Sequence, residues 1–318
     1  MAETNSKQGP KLSLVDVRPP DADGPRSTVR CPSPVRRILL DAGGAWLTAG
    51  TADGTIRVGD ANIESWRYVL AGHTGPIESL ALDDRGVLLA SSSSDRTIRV
   101  WEAQTGRCRC ILRGDAFPTT AVAFSPDGER LAAGDSDGLI SIWDVHPPRV
   151  RTVCTGTAGA IAGLAFSADG SRLFSAGEDG CFRVWKIADA SQIAVLDAHR
   201  GAAVAWACAS DRATIVTGGV DGRVRVWDTS AARCVQTIVI GSKPIGALAL
   251  MQQPSLVAAM DRSGRVQVHS MGRTGEPLPI AARSHPVRSG ASVSVALSKG
   301  GTALAIGGPD RGVRIWKI

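Results

Sequence analysis

The stretch Ala121-Val-Ala-Phe-Ser-Pro-Asp-Gly-Glu-Arg-Leu-Ala-Ala-Gly134, continued by Asp135-Ser-Asp-Gly-Leu-Ile-Ser-Ile-Trp-Asp144, decides the fold of this chain. Its short apolar runs alternate with the period of a half-buried strand. They are separated by Ser-Pro-Asp-Gly and Asp-Gly, which are turn sequences because proline fixes φ and glycine accepts the left-handed conformation. The stretch therefore predicts three antiparallel strands, and no part of the chain shows a helical period.

The same pattern recurs along the chain at a fixed spacing. Four tryptophans lie 42 residues apart, namely Trp101, Trp143, Trp185 and Trp227. One step outward in either direction leads to Gly59 and His269, and a last step of 47 residues leads to Trp316. Seven units therefore cover roughly residues 34–318, and a period of about 20 to 50 residues is typical of repeat architectures.

This spacing, with its Trp-Asp endings, resembles the WD-repeat family. The resemblance implies an all-β, seven-bladed β-propeller of four-stranded antiparallel blades, which would form one domain over residues 11–318 after a flexible polar tail, residues 1–10. It also implies that the N-terminal part supplies the outer strand of the seventh blade. Residues 12–17, within the segment 11–18, alternate and are the preferred closing strand; residues 27–30 are the competitor, closer to the register of the repeat.

The resemblance further implies a set of four hydrogen-bonded side chains in each blade. In the second unit, the positions for the loop His, the strand hydroxyl, the turn Asp and the Trp hold His73, Ser92, Asp95 and Trp101. The fifth unit keeps His199, Asp221 and Trp227, with Gly218 at the hydroxyl position. Elsewhere the set decays, with Asp115 and Thr157 for His and Gly134 and Ala176 for the hydroxyl. Such a set could be mistaken for a catalytic triad, but buried polar groups that satisfy one another favour a structural role.

Composition argues against catalysis and against metal or cofactor binding. The chain has five His and seven Cys, without metal-ligand spacing or a CxxC pair, so reduced core thiols are expected. Neither a GxSxG motif nor a phosphate-binding loop is present. The sequence therefore predicts a protein that is not an enzyme and needs no cofactor.

Charge and hydropathy bear on partners and location. The formal net charge is +6, but arginines that recur two positions before the Trp position lie on predicted strands, at Arg57, Arg99, Arg183, Arg225 and Arg314. Aromatic residues for base stacking are few. We therefore expect no direct nucleic-acid binding. The first ten residues are polar and no run of about 18 apolar residues follows, which predicts no membrane span and a cytoplasmic location, with the nucleus as the alternative in a eukaryote.

Loops on one face of the disk are the predicted partner site. The register places Arg36 and Glu78 in the loops before the first strands, and Glu178 and Arg262 beside the turn Asp positions. A lengthened loop at residues 281–290 and a second loop at residues 18–33 predict an arginine-rich sector at the first and seventh blades. The candidate partner-binding residues are Arg30, Arg36, Glu78, Glu178, Arg262, Arg283, His285 and Arg288.

The resulting hypothesis is a noncatalytic scaffold that binds other proteins or peptides as one propeller within a complex. An alternative is a regulatory or substrate-recognition subunit of an enzyme complex that binds acidic or phosphorylated segments through the arginines. A third is an RNA-associated propeller.

Overall fold

The computed structural model describes residues 27–41, 45–60, 65–113, 117–209, 211–251, 256–271, 294–297 and 303–317. All regular secondary structure in these ranges is β-strand, arranged as seven antiparallel sheets. The fold is therefore a seven-bladed β-propeller.

Strands follow the chain from the centre of each blade outward, apart from β1 (Ser27–Arg30), which belongs to the seventh blade. The first three blades consist of β2 (Val35–Leu40), β3 (Trp46–Thr51), β4 (Ile56–Asp60) and β5 (Tyr68–Leu70); β6 (Ile77–Leu82), β7 (Leu88–Ser93), β8 (Thr97–Glu102) and β9 (Cys108–Arg113); and β10 (Thr119–Phe124), β11 (Arg130–Asp135), β12 (Ile140–Val145) and β13 (Pro148–Cys154). The fourth and fifth consist of β14 (Ile161–Phe166), β15 (Arg172–Gly177), β16 (Cys181–Lys186) and β17 (Gln192–Asp197); and β18 (Ala203–Cys208), β19 (Thr214–Gly219), β20 (Arg223–Asp228) and β21 (Arg233–Val239). The sixth has β22 (Ile245–Met251), β23 (Leu256–Asp261) and β24 (Val266–Ser270) among the described residues, and the seventh has β25 (Ser294–Leu297), β26 (Ala303–Gly307) and β27 (Gly312–Lys317) with β1.

The ring is closed by an N-terminal strand, as predicted, but by the competitor segment. Ser27–Arg30 pairs with β27, with Val29 opposite Val313, and β25 contacts β2 of the first blade. Residues 12–17 lie outside the described residues, and the place beside β27 is taken, so the preference for them was wrong. An outer strand must end close to the start of the next inner strand, and only residues 31–34 separate β1 from β2.

Apolar clusters between neighbouring blades form the core, and the repeat tryptophans are part of them. Trp101 packs with Ile56, Val58 and Leu70 of the first blade, which precedes its own. Trp227 stacks on Phe182 of the fourth blade, with ring centroids 4.5 Å apart and planes inclined by 6°. Trp101 and Trp227 therefore fasten their blades to the preceding ones.

In the first blade a different tryptophan has this role. Gly59 is in the Trp position, and Trp66, which precedes β5, packs against the cluster between the seventh and first blades. Its Nε1 donates a hydrogen bond to the backbone carbonyl of Arg30 (3.0 Å). The closing strand is therefore held from the first blade as well as by β27.

A continuous chain of buried hydrogen bonds links the sheet to the loop in the second blade. Trp101 Nε1 donates to Ser91 Oγ (2.8 Å), which lies 2.8 Å from His73 Nε2, and His73 Nδ1 lies 2.9 Å from Asp95 Oδ2. Because the carboxylate can only accept, Nδ1 of a neutral imidazole carries the proton and Nε2 accepts from the Ser91 hydroxyl. Every polar group in this series of hydrogen bonds then has a partner.

The predicted hydroxyl, Ser92, is wrong by one residue. The register places Leu89 opposite Trp101 and Ser92 opposite Ile98, so Ser91 shares the Trp101 face of the sheet and Ser92 does not. A shift of one residue along a strand moves a side chain to the other face. The Ser92 hydroxyl is buried, and it has no hydrogen-bond partner among the described residues.

The hydroxyl also lies one residue earlier than predicted in the fifth blade. In the fifth blade Thr217, not Gly218, is the hydroxyl: its Oγ1 lies 2.9 Å from both Trp227 Nε1 and His199 Nε2, and His199 Nδ1 lies 3.0 Å from Asp221. The set there is therefore complete. Gly218 lies at a different contact, where an added Cβ would be 2.7 Å from Ile245 of the next blade.

Incomplete sets leave buried polar atoms without partners. In the fourth blade Ser175 accepts from Trp185 Nε1 (2.8 Å), but Thr157 replaces His and its hydroxyl has no partner among the described residues. In the third blade Ala133 is at the hydroxyl position, and the indole nitrogen of Trp143 is likewise unpaired. The decay of the repeat therefore has a cost that hydrophobic packing must offset.

Burial sets the charge state of the complete sets. Burial lowers the pKa of His73 and of His199 below the usual value, against the opposing effect of Asp95 and Asp221. Burial alone would raise the pKa of Asp95, but hydrogen bonds from Thr97, Thr74 and His73 outweigh it and lower this pKa to about 2. Neutral imidazoles facing ionised carboxylates are therefore the stable arrangement at neutral pH.

Replacing Ser91 and Ser92 by alanine separately tests the corrected register. Ser91→Ala removes the link between Trp101 and His73, and we expect it to lower the free energy of unfolding by about 1–3 kcal/mol. Ser92→Ala removes an unpaired buried hydroxyl, so we expect a neutral or slightly stabilising change. Urea unfolding of both variants measures the difference, and an equal loss for the two would contradict the assignment.

Acidification tests the neutral histidines. Because folding lowers the pKa of His73 and His199, the unfolded chain binds more protons below about pH 6.5, and the free energy of unfolding should fall as pH drops through that value. The Asp95 contribution is retained until about pH 4 and is lost as pH falls toward its folded pKa of about 2. Melting temperatures between about pH 7.5 and 5 should therefore decrease for the wild type and decrease less for His73→Gln/His199→Gln. An unchanged slope in the double variant would show that other groups titrate.

Candidate functional site

One face of the disk is built from the loops before the inner strands and the turns between the second and third strands; we call it the loop face. In six blades a backbone N–H at the turn donates to a carbonyl in the loop, as Ser94 does to Pro76 (3.0 Å) and Ser136 does to Pro118 (3.0 Å). Each turn is thereby held beside its loop. The loop face is consequently a set of short, hydrogen-bonded pairs on a rigid ring.

In the first six blades the inner strand reaches this face through a β-bulge. The register shifts at the second residue of the inner strand in blades one to six, at positions Arg36, Glu78, Thr120, Ala162, Val204 and Gly246. A bulge leaves one residue unpaired and re-aims its side chain. Arg36 and Glu78, which the sequence register assigned to the partner face, are two of these bulge residues.

Arg36 and Glu78, two predicted partner residues, bind each other. Arg36 Nη2 lies 3.0 and 2.9 Å from the two Glu78 carboxylate oxygens, and Ser94 Oγ donates to Glu78 Oε1 (2.7 Å). Both side chains are part-buried. This ion pair joins the first and second blades, so neither charge is free to bind a partner without breaking it.

The predicted arginine-rich sector is not supported at its described positions. Arg30 is exposed, but the segment before the first blade is not a long loop, because β1 occupies residues 27–30. Residues 31–34 form a short connection in which the Cys31 N–H donates to the Arg311 carbonyl (2.7 Å). Arg283, His285 and Arg288 lie outside the described residues. Their role in partner binding stays a prediction.

Glu178 and Arg262 are exposed on the loop face, as predicted. Glu178 lies in the turn of the fourth blade, where its N–H donates to the Ala160 carbonyl (2.9 Å). Arg262 lies in the turn of the sixth blade, where its N–H donates to the Pro244 carbonyl (2.9 Å). Both side chains are therefore presented from fixed backbone.

An exposed aromatic residue on the loop face was not predicted from the sequence. Phe117, in the loop before β10, keeps 45% of its surface exposed. The corresponding positions in the second, fourth and fifth units are Gly75, Gly159 and Gly201. An aromatic residue that replaces a repeat glycine is the signal that could have identified it.

The central channel is open space of about 550 Å³ lined by inner strands of all seven blades. Arg37 lines it on the loop side, where burial lowers the pKa of this guanidinium against the effect of Glu78. Most other lining residues are alanine, leucine and valine. Polar side chains, among them Ser79, Asp83, Asp84 and Ser294, also belong to the lining.

Arg212 crosses this channel at the opposite face and was also missed. It binds Asp84 of the second blade (3.1 Å) and donates to the carbonyls of Phe124 (3.2 Å) and Phe166 (3.4 Å). Its φ of 59° places it in the left-handed region, at the position that holds Gly128 in the third unit. The arginine thus ties the fifth blade to three others.

Thiols and other side chains give no ligand set for a metal. All seven cysteines are free, and burial raises the pKa of Cys31 and Cys154 to about 11 and that of Cys208 to about 12. The sequence predicted that the thiols lie in the core, but Cys234 is exposed. The described part of the chain contains no group of three or more His, Cys, Asp and Glu that could hold a metal ion. It also contains no helix long and apolar enough to cross a membrane.

Comparison with known proteins agrees with this architecture. The family described as WD domain, G-beta repeat (WD40) matches residues 24–60, 65–102, 106–144, 148–186 and 190–228, more than half of the chain. No curated protein matches the sequence. Among solved structures, that of U3-55K is similar in fold, with a TM-score of 0.83 and 20% identity over 94% of this chain and 100% of that chain.

The matched segments correspond to the first five blades, which contain both complete hydrogen-bonded sets. The sixth and seventh blades, which have His269 in the Trp position and the 47-residue spacing, lie outside them. The chain therefore belongs to the WD40 repeat family of β-propellers.

Proposed function

We propose that this propeller is a noncatalytic platform that binds another protein or peptide on its loop face and works as one propeller within a complex. Protein interaction is the general role of its family. The proposal that the loop face is the binding site depends on which side chains are exposed there and which are buried.

The two histidines of the complete hydrogen-bonded sets are withheld from solvent. The side chains of His73 and His199 are completely buried, and each is committed to a carboxylate and a hydroxyl. A general base must reach the proton that it removes from a substrate. These two histidines, with Asp95 and Asp221, therefore serve the framework.

The exposure of Phe117 on the loop face is the main support for the proposal. Phe117 keeps 45% of its surface exposed on the loop face, and aromatic side chains commonly dominate binding energy at interfaces. The carbonyl of the next residue, Pro118, accepts a hydrogen bond from the turn residue Ser136, which holds the chain after Phe117 in place. Little ordering entropy would be lost when a partner covers Phe117.

An RNA-associated role has less support. Single-stranded nucleic acid is usually held by aromatic side chains on which bases stack. Trp101, Trp185 and Trp227 are buried, and Trp143 packs against an apolar cluster between blades. A complex with RNA should disappear after nuclease treatment and between about 50 and 200 mM salt, whereas a protein complex should survive both.

Replacing Phe117 by aspartate tests the platform. We expect Phe117→Asp to abolish recovery of the partner by affinity capture with crosslinking mass spectrometry, because a charge would replace an apolar anchor, while the melting temperature stays near that of the wild type. The loss of a central anchor typically costs about 2 kcal/mol or more, which is at least a tenfold loss in affinity.

Ile193→Asp is the matched control. Ile193 is 52% exposed on the outer strand β17, so the same charge is introduced at an equally accessible apolar position away from the loop face. The control should retain the partner. Retention of every partner by Phe117→Asp, or equal loss in both variants, would contradict binding through this part of the loop face.

A further inference from the structure

A small basic cavity opens on the loop face at the fifth blade. It has a volume of about 360 Å³ and is lined by Arg200, Asp221, Arg223 and Arg225. Arg200 follows the loop histidine, and the other three residues belong to the turn and to the start of β20. Three guanidinium groups therefore surround one carboxylate.

Only one of these arginines is neutralised within the blade. Arg225 Nη1 lies 3.0 Å from Asp221 Oδ2, and Asp221 also accepts from His199 Nδ1 (3.0 Å) and from the Arg223 N–H (3.2 Å). The side chains of Arg200 and Arg223 are exposed and form no hydrogen bond or ion pair with any described residue. After Arg225 and Asp221 offset each other, the cavity keeps two positive charges.

These two arginines are not imposed by the repeat. The positions equivalent to Arg200 hold Thr74, Ala116, Ala158 and Ser242 in the second, third, fourth and sixth units. The positions equivalent to Arg223 hold Thr97, Leu139 and Cys181 in the second, third and fourth units, and Arg265 in the sixth. Among the second to sixth units, only the fifth has arginine at both positions. Arg225, by contrast, has equivalents such as Arg99 and Arg183 and belongs to the framework.

We propose that Arg200 and Arg223 bind a phosphoryl group carried by a side chain of the partner polypeptide. A phosphoryl group has a charge of about −1.5 to −2 at neutral pH and three acceptor oxygens, which matches two unpaired guanidinium forks. A carboxylate would neutralise only one of them. This inference rests on the proposed platform function and names the chemistry that one part of its loop face recognises.

A phosphorylated side chain fits this cavity better than a nucleic-acid backbone does. The cavity is confined to one blade, so it offers a place for one anionic group. The repeat tryptophan of this blade, Trp227, is buried. Trp206 of the same blade packs against Gly163 and Phe182 and lines the channel. No described aromatic side chain lines the cavity to stack a base.

The experiment compares full-length wild type with Arg200→Gln/Arg223→Gln by fluorescence anisotropy. The probes are a degenerate library of labelled phosphoserine peptides, the same library without phosphate, a library with glutamate at that position, and a labelled oligouridine. We expect the phosphoserine library to bind at least tenfold more tightly than the other three. The double variant should lose at least tenfold of that affinity at an unchanged melting temperature, since each charge-assisted hydrogen bond is worth about a factor of ten.

Arg172→Gln/Arg233→Gln is the control, because both residues are exposed strand starts outside the cavity and the same two charges are removed. It should bind the phosphoserine library as the wild type does. Equal binding of the phosphorylated and unphosphorylated libraries, or full binding by the Arg200→Gln/Arg223→Gln variant, would overturn the phosphoryl site. So would oligouridine binding that is tighter than peptide binding and depends on the same arginines.

Failure of this site and failure of the platform can be told apart. Protein partners could be lost with Phe117→Asp, be recovered unchanged with Arg200→Gln/Arg223→Gln and not depend on phosphate. That result would support the platform and overturn the phosphoryl site. Phosphoserine binding that depends on Arg200 and Arg223, together with recovery of no protein partner, would support the site and overturn the platform.

Discussion

The buried chain of hydrogen bonds from Trp101 through Ser91 and His73 to Asp95 is the constraint on which the loop face depends. Burying an indole, a hydroxyl, an imidazole and a carboxylate here one by one would destabilise the fold, because each unpaired polar group costs about 1–3 kcal/mol. Together they satisfy one another, and they connect the middle of the sheet to the loop before β6. The position of that loop therefore follows from the interior of the blade, and the fifth blade repeats the arrangement through Thr217 and His199.

This arrangement separates the residues that hold the fold from those that can recognise a partner. The His and Asp side chains point inward and are occupied, so loop residues next to them can change without loss of the framework. Arg200 directly follows His199, and Phe117 precedes the Pro118 carbonyl that accepts from the turn. A repeat that keeps its interior fixed can therefore present a different surface at each blade, which is where function on a shared fold is found.

Contacts outside this chain of hydrogen bonds also hold the ring together. Trp66 packs between the seventh and first blades although Gly59 stands in the Trp position, and Arg36 bridges to Glu78 between the first and second. Arg212 spans the channel from the fifth blade to Asp84 in the second. These contacts join residues far apart in the sequence, so they stabilise the closed ring rather than one sheet.

The repeat spacing was enough to predict the blade number, the strand order and the turns, because the period of apolar residues and the Asp-Gly turns are local properties. It also placed Glu178 and Arg262 on the loop face. Predictions that required a register within one residue were weaker: Ser92 was chosen in place of Ser91, since three consecutive serines at 91–93 do not show which one faces Trp101. The closing strand, the Arg36–Glu78 pair and the role of Arg212 depend on contacts between blades, and no local pattern in the sequence shows those.

A double-mutant cycle of Ser91→Ala and Asp95→Ala, measured by urea unfolding, tests most directly whether the buried groups act as one unit. The two side chains do not touch, but both bind His73, so the double variant should lose less stability than the sum of the single losses, by about 0.5 kcal/mol or more. Losses that add within about 0.3 kcal/mol would contradict the account, because independent groups are additive.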